Sequence, residues 1–532
     1  MTVADALFDN PILKKHLRSR LRPVQSLPWA VVLVSAAACI VYAGHNINWF
    51  GDTSALRFLL GIQIFALAFG GSNQITASLG GARESGILDF HRVSPVPPLV
   101  VSLGFLVGAP VREYALAALL VPFVFFSASL IDAADTWSGV AWAAQVEVAV
   151  LTTTWVGHAV AMLGALTRKK PRSSVVGGFV TFFFLLILLY LGSIGFYLGT
   201  QWLLEGDRRL NAFGRLIPWL PWTLAVELPV LGFLCLAVTR KMGAERSHAY
   251  TKWQALACMA TLTALLVGGL WGLGRHLPPV PATGWTPADV ISIAAVYALS
   301  LTAMILAMTV TPDAGGYVRG VRRALREGRR RPSPWSDAGS NRVALFALCA
   351  IVLAGSTTVV NVLGTPPLIW PVVYANGVPV NTSPTSDAAW LASRQSLASR
   401  PIVVGVLTAA YVGLGLQFFS LRTRRSGAVL TMLFLFFAWL APMVAGAFLG
   451  MGGPDQTGSL TVIALSPIAG LALSCGLGLS TGADSIRLAA LAPPITFAFV
   501  FNSLLVFTQR KIDKQLRTRE KAPATGPVPG LE

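Results

Sequence analysis

An all-α, polytopic helical membrane protein with about twelve transmembrane helices is the fold this sequence predicts, on three observations. Hydrophobic residues make up 54% of the 532 and charged residues only 12%, where a soluble globular chain carries about 25% charged residues. The apolar residues come in blocks of about 17 to 25, the helix length that crosses ~30 Å of hydrocarbon. Lysine and arginine gather in alternate connections between the blocks, as they do on the cytoplasmic side of membrane proteins. The net charge of +18 therefore follows the loops, and no nucleic-acid partner is expected.

The elements follow in order. Residues 1–27 hold an amphipathic interfacial helix: Leu13, Leu17 and Leu21 recur every four residues, flanked by Lys14, Lys15, Arg18 and Arg22. That pattern suits a helix on the inner membrane surface, beside anionic headgroups. The first half, 28–245, opens with spans at about 28–44 and 55–79. Arg83 to Pro95 comes next, its charges interleaved with Ile87, Leu88 and Phe90, a short helix polar on one face and apolar on the other. Residues 97–110 are apolar but too short to cross alone, and read as an inner re-entrant or interfacial segment. Spans at about 114–131, 139–166, 175–199 and 223–239 complete the half. The basic run Arg168 to Arg172 falls inside, and Pro218-Trp219-Leu220-Pro221-Trp222 precedes the last span outside.

In the second half, 246–509, the pattern restarts with spans at about 253–274 and 288–310. A basic stretch from Pro312 to Arg342 follows, carrying Arg319, Arg322, Arg323, Arg326, Arg329, Arg330 and Arg331. Further spans are expected at about 343–363, 401–420, 427–449 and 486–508. The apolar block 459–479 would make a thirteenth and place the basic tail, 510–532, outside. Its Ser466-Pro467 and glycines instead suggest an outer re-entrant hairpin, a broken helix that protein can bury. Twelve spans leave both termini cytoplasmic. Arg92-Val93-Ser94-Pro95 is echoed by Arg331-Pro332-Ser333-Pro334, and Pro218 to Pro221 by Ser466-Pro467. A duplicated six-span unit is the economical reading.

Three features resemble the permease subunit of type-2 ATP-binding-cassette (ABC) exporters. Asn10 to Arg22 looks like the interfacial elbow helix that precedes the first span, although His16 stands where an acidic residue is frequent. Glu84-Ser85-Gly86-Ile87-Leu88, followed by Arg92-Val93-Ser94-Pro95, looks like the cytoplasmic coupling helix between spans two and three. The six-span unit with a Pro-containing hairpin before its last span is the third. The resemblance implies a groove on a separate ATPase subunit, two copies in all, that receives Ile87, Leu88 and Phe90. Arg83, Glu84, Asp89, Arg92, Ser94 and Pro95 would set its register. Arg322, Arg326, Ser333 and Pro334 would be the more basic counterparts in the second half. ATP and Mg would sit on that partner and no cofactor in this chain, which has no Gly-x-x-x-x-Gly-Lys-Ser/Thr phosphate loop. The expected setting is the bacterial cytoplasmic membrane, its lipids and an unidentified exported substrate.

Ionisable residues inside spans are functional candidates by default. Glu147 and His158 lie eleven residues apart in the fourth span, on nearly one face with Thr154 between them. They would line a polar route, or else hydrogen-bond to neighbouring helices; Glu227 stands near the outer Pro-Trp segment. An ion-coupled transporter is the alternative that Glu147 supports, and a membrane-embedded lipid-linked transferase the weaker one, since acidic residues in the outer loops are scattered. The chain itself is not expected to be an enzyme. Cys39, Cys235, Cys258, Cys349 and Cys475 lie in or beside apolar blocks with no Cys-x-x-Cys pair and read as small buried hydrophobes. The dispersed histidines predict no metal site.

Overall fold

The computed structural model describes residues 10–46, 54–131, 136–167, 209–213, 215–245, 247–271, 287–363, 372–375, 378–381, 387–423, 427–451, 456–473 and 483–521. Eleven helices among the described residues are long and apolar enough to cross a membrane, and the protein is an all-α polytopic membrane protein. The span expected at about 175–199, the basic run 168–172 and parts of the loop 364–400 (364–371, 376–377 and 382–386) lie outside the described residues. The chain divides into two compact units: residues 1–210 with 217–249, and residues 211–216 with 250–532.

In the first unit, α1 (Pro11–Arg20) precedes the first span, α2 (Pro23–Asn46). The second span is one continuous run of α3 (Ser54–Phe65), a π-helical turn at Ala66–Gly71 and α4 (Ser72–Glu84). Two short helices follow, α5 (Ile87–Val93) and α6 (Pro98–Gly108), then the spans α7 (Val111–Ile131), α8 (Thr136–Thr167) and α9 (Trp219–Gly243). Pro218 caps α9 and Pro221 lies in its first turn. The Pro-Trp segment is therefore a helix start, which proline's fixed φ favours.

The helix α1 is docked on protein, not simply laid on a surface. Asn10 is fully buried; its side-chain oxygen accepts from the Ile12 and Leu13 amides, and its Nδ2 donates to the Val100 carbonyl at 2.6 Å. Gly104 and Gly108 of α6, in Gly-x-x-x-Gly spacing, let α1 approach: a Cβ on Gly104 would stand 2.8 Å from the Ile12 Cβ. The buried face is thus Asn10, Ile12 and His16, while Leu17 of the leucine stripe is exposed. The His16 ring meets Phe105 edge-on with centroids 5.6 Å apart. Burial, then Arg20 and Lys15, push its pKa from 6.5 down to about 4. The folded form thus resists protonation that the undocked form accepts, so stability is full above about pH 6.5 and falls as pH drops towards 4. Thermal unfolding followed from pH 8 to 5 is expected to show that loss, and a flatter profile in His16→Gln.

In the second unit, α10 (Lys252–Leu270) and α11 (Pro287–Val310) lead to the amphipathic α12 (Ala314–Arg326). Then come α13 (Arg342–Leu363), α14 (Asp387–Arg422), α15 (Gly427–Met451), the short α16 (Gln456–Ala464) and α17 (Pro467–Leu473), and α18 (Ala483–Lys521). Two short strands, Val372–Ala375 and Val378–Asn381, pair antiparallel. The span count is settled within this unit by sidedness. Lys252, which begins α10, and Gln509, near the end of α18, both bond to the loop between α12 and α13. An even number of crossings therefore separates them. The helices α16 and α17, nine and seven residues long, rise only about 14 and 11 Å and cannot cross. They bend at Ser466-Pro467 and pack on α15 and α18, with the Ser459 hydroxyl donating to the Gly446 carbonyl at 2.7 Å.

Within each unit the same pairs of spans pack. The first lies on the third, the second on the third and fourth, the third on the fourth, and the fourth on the last. Cys258 and Cys349 are buried, but Cys39 is exposed, because α2 keeps most of its apolar surface outward, as Val31, Val32 and Tyr42 do.

Candidate functional site

The stretch Arg83 to Pro95 is a helix–turn–helix corner. Glu84 ends α4, and Gly86 turns the chain at φ +72°, a left-handed conformation that costs a Cβ-bearing residue about 1 kcal/mol. The next seven residues form α5, and Ser94 closes it, its amide on the Phe90 carbonyl at 3.0 Å and its hydroxyl on that of His91 at 2.9 Å. Leu88 points inward at 3% exposure and joins a core with Leu79, Val101 and Met242, a burial worth about 2 kcal/mol. Of the three apolar residues expected to face a partner, Leu88 is therefore spent on the protein's own core. Ile87 and Phe90 face out, the latter 66% exposed, joined by Val93 at 83%. Asp89 and Pro95 are also exposed.

The charged residues brace this corner. Arg92 bonds to Asp89 at 2.6 Å and to the Met242 carbonyl at 3.3 Å, and lies 3.6 Å from Glu245. Arg83 also pairs with Glu245, so α4, α5 and the end of α9 are tied together. Each exposed pair is worth under about 1 kcal/mol; their effect is to fix α5 in place. Glu84 is exposed. His91 is pushed below its ordinary value by burial and by Lys15.

The counterpart in the second unit is built differently. α12 buries its apolar face, Tyr317, Val321 and Ala324, and exposes Arg319, Arg322, Arg323 and Arg326. The echo of Ser94-Pro95 in Ser333-Pro334 is one of sequence alone. Ser94 caps a helix, whereas the Ser333 carbonyl accepts from the amide and hydroxyl of Ser336 in a turn of the loop. The Pro334 carbonyl accepts from Lys252 at 2.6 Å.

The intramembrane candidates all bear on α8. Gln63 of the second span donates to Glu147 at 2.7 Å. His158, fully buried, donates through Nε2 to the Leu67 carbonyl at 2.9 Å, which leaves Nδ1 to accept from the Tyr114 hydroxyl at 2.7 Å. Thr154 is buried on the same face. On the opposite side of α8, the Thr152 and Thr153 hydroxyls donate to Glu227 of α9. Eleven residues bring Glu147 and His158 to one side, and five or six turn Thr152 and Thr153 away from it. The arrangement supplies interhelical hydrogen bonds at three heights, with Glu147 and His158 on separate partners.

Two groups have no clear signal in the sequence. Glu113 is 4% exposed, bonded by Arg112 at 2.8 Å and set over Gly70; Gly70-Gly71 was the available sign of a close approach. Lys252 is 1% exposed, its ammonium held by three carbonyls; at the start of a span it resembles any topogenic lysine. No family model matches the chain, and no curated protein or solved structure matches it.

Proposed function

We propose that this chain is the membrane-spanning subunit of an ABC-type exporter of the bacterial cytoplasmic membrane. It would move its substrate with ATP hydrolysed on separate ATPase subunits, one bound per unit. The observation that carries the reading is α5. A short helix at the end of the second span holds Ile87, Phe90 and Val93 outward while Leu88, Arg92 and Arg83 anchor it from behind. A push on such a braced helix moves the second span with it, which is what exchange of access by rigid bodies needs. The matching order of span packing in the two units adds support for one ATPase per unit.

Phe90→Asp tests this. An apolar anchor at an interface centre is worth about 2–4 kcal/mol. The wild-type chain is expected to co-purify with a Walker-motif ATPase and to stimulate its hydrolysis. The variant should fold, since Phe90 is exposed, and lose at least about tenfold of the stimulation. Intact complex and stimulation in Phe90→Asp, with transport abolished by Glu147→Gln, would replace the coupling model with an ion-driven one.

A further inference from the structure

The basic stretch of the second unit is tied down far more firmly than a run of topogenic charge requires. Asp513 of α18 is 4% exposed and accepts from the Tyr317 hydroxyl at 3.3 Å and from Arg331 Nε at 2.7 Å. Gln509 donates to the Ser340 hydroxyl at 2.9 Å, and Arg517 to the Arg330 carbonyl at 3.1 Å. Lys252 gathers the carbonyls of Pro334, Gly339 and Ser340 within 3.0 Å. Trp335 stacks on Trp253 with centroids 4.2 Å apart. The result is a folded cap in which α12 is held by its buried face against α14 and α18.

The cap's outward face is cationic. Arg319, Arg322, Arg323 and Arg326 are exposed along α12, and Arg510, Lys511 and Lys514 along the end of α18. Acidic residues nearby are committed: Asp513 to Tyr317 and Arg331, Asp313 to the first turn of α12, Glu327 to Arg329, and Asp337 to the field of the Lys252 ammonium. Depth identifies the occupant. Phe507, 68% exposed, is the last large apolar side chain turned outward on α18. Arg510 and Lys511 stand about 5 to 6 Å beyond it along the axis, at the level of the headgroup layer, which is about 5–7 Å thick on each face, and Lys514 stands one turn further towards water. The helix α12 starts four residues after the end of α11, at the same border. Guanidinium forks match phosphate oxygens two at a time.

We infer that this face is a preorganised seat for anionic phospholipid headgroups of the adjoining leaflet. That assigns Arg322 and Arg326 to lipid phosphate, and α5 keeps its part as the apolar docking helix of the first unit. The seat consists of the chain's own residues and requires no ATPase, so its test is separate from that of the coupling helix.

The purified chain, equilibrated with mixed micelles of equal parts phosphatidylglycerol and phosphatidylcholine, is assayed by native mass spectrometry for retained lipid. Wild type is expected to retain phosphatidylglycerol preferentially, less so at high salt. R319Q/R322Q/R323Q/R326Q should lower that preference about tenfold or more while remaining monodisperse. Asp513→Asn raises the net charge but frees the cap, and it should lower the preference too. Unchanged retention in the quadruple variant would overturn the seat. Unchanged retention in Asp513→Asn would reduce it to unstructured charge and also overturn it. Displacement of the lipid by inorganic phosphate at matched ionic strength would make the ligand a soluble anion, and the lipid seat would fall with it.

Discussion

Gly71→Ala is expected to destabilise the first unit by about 3 kcal/mol, and to cost only a fraction of that in a His158→Ala background. The π-helical turn at Ala66–Gly71 closes its hydrogen bonds one residue later than an α-helix, and within it the Leu67 carbonyl accepts from His158 Nε2 at 2.9 Å. Gly71 lies against that ring: a Cβ there would stand 2.8 Å from the His158 Cε1 and 3.2 Å from the Pro110 Cβ. His158 has nowhere to go, being fully buried and tethered at Nδ1 by Tyr114. Adding a methyl group must therefore displace the imidazole and break its bonds to the Leu67 carbonyl and the Tyr114 hydroxyl, each loss of a buried partner costing about 1–3 kcal/mol. Removing the ring first makes the methyl harmless. Thermal unfolding of the four proteins of this cycle in one detergent measures the coupling. Additivity within about 0.5 kcal/mol would mean that the close approach carries no energy.

The π turn marks where the sequence stops being informative. Ala66-Leu67-Ala68-Phe69-Gly70-Gly71 has the composition of any span, and block length alone located the second span. Length works because the bilayer, which is uniform, sets it. Helix periodicity likewise placed Glu147, Thr154 and His158 on one face of α8. It could not say that Gln63 meets the first and Leu67 the last, because partner choice depends on packing between distant segments. At α1 the rule misjudged the direction: the leucine stripe outweighed Ile12, yet Gly104 receives Asn10 and Ile12, and Gly108 receives His16 and the Leu13 backbone. At α5 the amphipathic pattern was legible, but not which apolar residue turns inward. Leu88 does so because Gly86 reverses the chain and brings that face onto α4 and α6.

Lys252→Met is expected to cost about 2–4 kcal/mol and to open the cap of the second unit. The side chain is 1% exposed, and its three N–H donors reach the carbonyls of Pro334, Gly339 and Ser340 at 2.6, 2.9 and 3.0 Å. An ammonium has three donors and no acceptor, so its hydrogen-bonding capacity is met by the loop. Methionine keeps the length and apolar stem but leaves three inward carbonyls facing a thioether. Arginine should not substitute, since its planar fork cannot converge on three oxygens arranged around one point. The loop that loses its anchor carries Arg329, Arg330 and Arg331, so trypsin should cleave there several-fold faster in Lys252→Met than in wild type, alongside the lower melting temperature. Lys252→Ala supplies the sharper control. It leaves room beside the same carbonyls, and added methylammonium should restore part of the protection where tetramethylammonium, which has no N–H, does not. Wild-type melting and proteolysis in both variants would show that the loop is held by the Trp253–Trp335 stack and by Asp513 instead, with the lysine's contacts contributing nothing measurable.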